Sequence, residues 1–96
     1  MKKYELAVVL SANLDDAQRE ENINKIKGYI ERFEGKTIEP IEEWGKKKFA
    51  FEVKHQQEGY YYFISFEGTP TTPNELESYV RIMDSVVRYL IVSKED

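Results

Sequence analysis

Residues 42–54 read EEWGKKKFAFEVK; after HQQEG (55–59) the chain continues YYYFISFE (60–67). Beyond Gly45 the first stretch alternates, with Phe49, Phe51 and Val53 on one side and Lys48, Ala50 and Glu52 on the other. The second alternates again: Tyr60, Tyr62, Ile64 and Phe66 against Tyr61, Phe63 and Ser65. Side chains of a strand point to opposite faces in turn, so a period of two on both sides of a polar, glycine-containing loop predicts a β-hairpin. Upstream, Ile38 and Ile41 fall out of phase and Pro40 has no amide to donate. A strand over 37–54 with these irregularities carries a bulge and belongs at a sheet edge.

Working outward, YELAVVL (4–10) is a second alternating strand, with Tyr4, Leu6, Val8 and Leu10 on one face and Glu5, Ala7 and Val9 on the other. SANLDD then turns the chain into a helix. Asp15 is its predicted N-cap, with Gln18 completing a capping box. Ile23, Ile26, Ile30 and Phe33 follow at spacings of three and four, which makes one apolar stripe. Gly35 is read as the helix stop and Gly28 as a point of close packing on the sheet. After GTPTTPNE a shorter helix is expected, with Thr72 as N-cap, Pro73 in its first turn and Glu75 as capping partner. Leu76, Tyr79 and Val80 form its apolar face. Met83-Asp84-Ser85 breaks it, VVRYLIV (86–92) is the last strand, and SKED is a polar tail.

The order strand, helix, strand, strand, helix, strand predicts an α+β, ferredoxin-like split β-α-β fold, βαββαβ. Four antiparallel strands form one sheet, two helices cover one face, the first and third strands are central, and residues 1–96 make a single domain.

Composition narrows the function. A net charge of −4 opposes nucleic-acid binding over the whole surface, which needs a positive field, but leaves room for a local basic patch. Without cysteine there are no disulfides or thiolate metal sites, and a reducing compartment fits. The apolar run in MKKYELAVVL is too short for a signal or membrane segment, so a cytoplasmic protein without a membrane partner is expected. His55, the single histidine, is read as a solvated loop residue. No Walker loop or dinucleotide turn occurs. Acylphosphatase chemistry on this fold needs a phosphate-cradling loop after the first strand, and SANLDD is acidic there. The chain is therefore read as no enzyme, with no metal, no cofactor and no small-molecule substrate. Tyr61 and Phe63 could stack on bases, but the basic-Gly-aromatic run of RNA-recognition modules is absent, and packing against Ala7 and Val9 accounts for them.

YELAVVL, EEWGKKKFAFEVK, GYYYFISFE and RIMDSVVRYLIVSK together resemble the bacterial small-subunit ribosomal protein S6 family, from about Lys3 to Lys94. The specific parts are Trp-Gly followed by basic residues and R-I-x-D-x-V-x-R. The resemblance implies the fold reached above and a structural role in the ribosome: binding the central domain of small-subunit ribosomal RNA cooperatively with ribosomal protein S18. Family members usually have leucine at Phe49, tyrosine at Phe51 and proline at Glu52, and often arginine within 46–48. Lysine there keeps the charge and loses the fork geometry for phosphate.

The lysine run then reads as both edge protection and a contact surface. The expected RNA contacts are Lys46, Lys47 and Lys48, with Lys2, Lys3, Arg81 and Arg88. The expected protein-partner interface is Trp44, Gly45, Phe49 and Ala50. Lys2, Lys3 and the start of the last strand are placed at one end of the sheet, and an Arg81–Asp84 ion pair is the local alternative for Arg81. The alternative function is a non-ribosomal, self-associating regulatory or ligand-binding module on the same fold. A glycine-rich ligand loop at the strand-to-helix turn would mark that module, and SANLDD is not one.

Overall fold

The computed structural model describes residues 1–94. Its elements are β1 (Lys2–Ser11), α1 (Asp16–Arg32), β2 (Lys36–Val53), β3 (Gln56–Gly68), α2 (Thr72–Val80) and β4 (Val86–Lys94). The strands form one antiparallel sheet in the order β2-β3-β1-β4, so β1 and β3 are central, as the element order predicts. Of the tail expected over 93–96, Ser93 and Lys94 belong to β4, and the last two residues lie outside the described residues.

The alternation places the core. Tyr4, Leu6, Val8 and Leu10 of β1 and Tyr62, Ile64 and Phe66 of β3 face the helices. Ile23, Ile26 and Ile30 of α1 and Leu76 and Val80 of α2 close over them, so both helices lie on one face. Burying such side chains contributes about 1.5–3 kcal/mol each, the main term holding the layers together. The α1 capping box forms as expected. The Asp15 carboxylate accepts from the Gln18 N–H at 2.8 Å, and the Gln18 side chain accepts from the Asp15 N–H at 2.9 Å.

Several local expectations are corrected. The left-handed residue that ends α1 is Glu34 (φ 64°), while Gly35 donates to the Ile30 carbonyl at 2.8 Å. Gly28 is exposed with no neighbour a Cβ would touch, so it marks no close packing. Thr71, not Thr72, is the N-cap of α2, and it makes no side-chain capping bond. Thr72 is fully buried. Its hydroxyl donates to the Phe33 carbonyl at 2.8 Å and accepts from the Thr69 N–H at 3.0 Å, tying the end of α1 to the start of α2.

The hairpin is longer and tighter than predicted. Val53 pairs with Gln56, so the connection is Lys54 and His55 alone, both with positive φ (50° and 63°). Two left-handed residues are what a type I′ turn requires. HQQEG is therefore mostly strand. Gly59 sits where β3 passes close to β1: an added Cβ would lie 2.6 Å from a Val9 methyl and 2.9 Å from the Leu10 carbonyl. The arm beyond Gly59 reaches over the sheet end. Gln56 accepts from the Ala12 N–H at 3.2 Å, and the Lys54 ammonium donates to the Val86 carbonyl at 3.2 Å.

Candidate functional site

β2 is an edge strand, and its pairing to β3 breaks between Ile38 and Glu42, between Glu43 and Gly45, and between Lys48 and Val53. Pro40 lies in the first break and Gly45 (φ 79°) ends the second, a backbone angle that explains the glycine there. The lysine run follows at once: Lys46 opposite Tyr60, Lys47 opposite Gly59, Lys48 opposite Glu58. Lys46 is partly engaged, 3.9 Å from Glu58 and 5.9 Å from the Tyr60 ring centroid. Lys47 and Lys48 are exposed and form no ion pair among the described residues.

The sheet face away from the helices carries an aromatic patch. Trp44 lies 4.6 Å from Phe63 between ring centroids and is 53% exposed, so it belongs to no core. Its indole N–H donates to Glu42. Phe49 meets Tyr61 edge-on at 6.2 Å. Phe63 and Tyr61 stand opposite Ala7 and Val9 on β1, as the packing explanation requires. Beyond them, Arg88 and Leu90 of β4 line the same open face, a shallow groove of about 230 Å³. Of the expected partner residues, Trp44 and Phe49 join this patch, Gly45 sets the bulge beside it, and Ala50 is exposed on the projecting arm.

The expected RNA contacts do not form one cluster. Gly45 pairs with Tyr61, Tyr61 with Val9, and Val9 with Arg88, so Arg88 and the lysine run flank the same end of the sheet from opposite edges. Lys2 and Lys3 lie at the other end, opposite Gly68 and Glu67. Lys3 also pairs with Lys94, so the N-terminus meets the end of β4 and not its start, contrary to expectation. Antiparallel pairing of β1 with β4 dictates this. Arg81 is exposed at the C-cap of α2, and no ion pair joins it to Asp84 among the described residues.

One cation was missed by sequence reasoning. Arg19 stacks over the Tyr60 ring at 3.7 Å, donates to the Tyr62 hydroxyl at 3.2 Å and to the Leu14 carbonyl at 2.8 Å, and pairs with Asp16. Burial pushes the Tyr62 phenol above the ordinary tyrosine range, partly offset by the Arg19 guanidinium. The signal was present: Tyr60 and Tyr62 point to the helix side, and a buried phenol needs a polar partner. Nearby, an open groove of about 480 Å³ between α1 and β2 holds carboxylates and cations together, including the Lys27–Glu39 pair at 2.7 Å.

Comparison with known proteins identifies the family. The model of the family "Ribosomal protein S6" matches residues 3–93. The chain belongs to the ribosomal protein S6 family. It is 45% identical over 95 residues to small ribosomal subunit protein bS6 of Clostridium kluyveri, covering 99% of each chain. It is 40% identical to that of Clostridium novyi over 99% of each. The crystal structure of 30S ribosomal protein S6 from Thermotoga maritima superposes with a TM-score of 0.89 at 29% identity, covering 97% of this chain and 87% of that one. Ribosomal protein S6 is a structural, non-enzymatic constituent of the small ribosomal subunit in the cytoplasm. No helix among the described residues is long and apolar enough to cross a membrane.

Proposed function

We propose that this protein binds the central domain of small-subunit ribosomal RNA cooperatively with ribosomal protein S18, using the β2 edge and the patch beside it. One observation carries the reading. A single strand carries Trp44, packed on Phe63, and, three and four residues further along, Lys47 and Lys48, which form no ion pair among the described residues. Lysines supply charge attraction to phosphate, and aromatics are favoured in interface cores. Arg88 extends the basic rim across the sheet end, while Lys2, Lys3 and Arg81 would be separate, secondary contacts. Phe49, Gly45 and Ala50 continue the partner surface along β2.

Electrostatics supports cooperativity. With a net charge of −4, the chain alone repels RNA except at its local patches. A basic protein partner supplies the missing positive field. The test is binding to a central-domain RNA fragment at fixed moderate salt, with and without S18. Tight binding only with S18 is the expected result; no binding in either case overturns the reading.

A further inference from the structure

The sheet has a second edge, defended at its start alone, where Lys54 covers the Val86 carbonyl and the register to β1 shifts. From Arg88 to Lys94, β4 pairs with β1 without a register shift and contains neither proline nor glycine. On the open face, Leu90 is 61% and Val92 40% exposed, and Tyr89 and Ile91 alternate with them on the helix side. Among the described residues no strand borders its outer side. A regular apolar edge of this kind is a template for strand pairing.

We infer that β4 pairs antiparallel with β4 of a second copy of this chain, about a twofold axis at Leu90, making a continuous eight-stranded sheet. Leu90 is the midpoint of Val86–Lys94, and the regular part of this register is Arg88–Val92. It places Leu90 against Leu90, Arg88 against Val92 and Tyr89 against Ile91. No like charges face each other directly, and Lys94 is already paired with Glu5 at 3.2 Å. Sliding by two residues one way sets Arg88 against Lys94, which is repulsive; sliding the other way leaves Ser93 and Lys94 without partners in the strand. A one-residue slip sets the open face of one copy against the helix face of the other.

The helix side also fits. A groove of about 320 Å³ between α2 and β4 is lined by Pro73, Asn74, Glu77, Tyr89, Leu90 and Ile91. The second copy's Tyr89 enters it beside Ile91, where its hydroxyl can donate to the Glu77 carboxylate. The contact is isologous and closed, so it ends at a dimer. It leaves β2 free; of the proposed RNA contacts, Arg88 alone lies on the paired strand.

Sedimentation velocity from micromolar to about 1 mM tests the dimer, since a single short strand pair supports only weak association. The sedimentation coefficient should rise with concentration. Leu90→Lys should move the midpoint at least about tenfold higher, because it sets two like charges directly opposite. The chain has no cysteine, so single-cysteine variants report cleanly. Oxidation should cross-link Leu90→Cys about tenfold faster than Phe51→Cys, although Phe51 is the more exposed at 82%. A monomer throughout the range, or equal cross-linking rates, overturns the pairing. Central-domain RNA binding with S18 should be the same for Val92→Lys, which sets a lysine against the second copy's Arg88 and lies outside the open-face groove, as for the parent. Failure of both proteins to bind RNA counts against the RNA reading alone.

Discussion

The two edges of the sheet are built by opposite rules. β2 is long, broken in register three times, and marked by Pro40, Gly45 and a run of lysines. β4 is short, regular from Arg88 to Lys94, and apolar over Tyr89–Val92. The irregular edge is a poor template for regular strand pairing and exposes side chains instead, lysines and Trp44. The regular edge presents backbone. Recognition by side chains, as proposed for β2, and by backbone, as inferred for β4, would then be separated by the width of one sheet.

The strongest attempt to break this contrast is charge reversal of Lys46, Lys47 and Lys48 to glutamate. Binding of RNA with S18, followed by filter retention or fluorescence anisotropy, should weaken by on the order of a hundredfold. Thermal stability should change by less than about 1 kcal/mol, since exposed charges contribute little to folding. Equal loss from Val92→Lys would erase the distinction between the edges.

Next comes the root of the β2 arm. Gly59→Ala places a methyl into Val9 and the Leu10 carbonyl and should cost about 1–3 kcal/mol in chemical denaturation. The support behind β4 can be probed in the same way. Thr72→Val is nearly isosteric but strips partners from the Phe33 carbonyl and the Thr69 N–H, and should cost about 1–3 kcal/mol.

The smallest effect concerns Tyr62, which faces α1 from β3. Burial, against the opposing pull of Arg19, raises its pKa above the ordinary value of 10.0. The fold therefore favours the neutral phenol. That contribution is complete below pH 10 and is lost as pH rises through the folded-state pKa. Denaturation at several alkaline pH values should show a shallower decline for Tyr62→Phe than for the parent.

Much of this was legible in the residues. The period of two in 4–10 and 60–66 identified the helix-facing side chains of both central strands, because each buries one face only. Pro40 correctly marked an edge. Turn chemistry was harder. Lys54-His55 lacks the glycine or asparagine that announces a type I′ turn, whereas Gly59, which looks like a loop residue, is in a strand because another strand passes too close for a side chain. Gly35 misled in the same way, since Glu34 takes the left-handed conformation. At the candidate site, local sequence grouped the lysines with Trp44. The reach of Arg88 to the same end of the sheet, the separation of Lys2 and Lys3 from it, and the seat of Arg19 between two tyrosines all depend on strand register, which pairs residues far apart in the chain.

The pairing of Lys3 with Lys94 joins the two ends of the described chain, whereas β2 and β3 are joined through two residues. Chain entropy makes these unequal tasks. The hairpin can zip from its turn, but β4 must close a loop that encompasses nearly the entire polypeptide before it gains a partner. β4 is expected to dock late in folding and to detach first when the native state opens, so its amides should exchange hydrogen for deuterium through a lower-energy opening than those of β3.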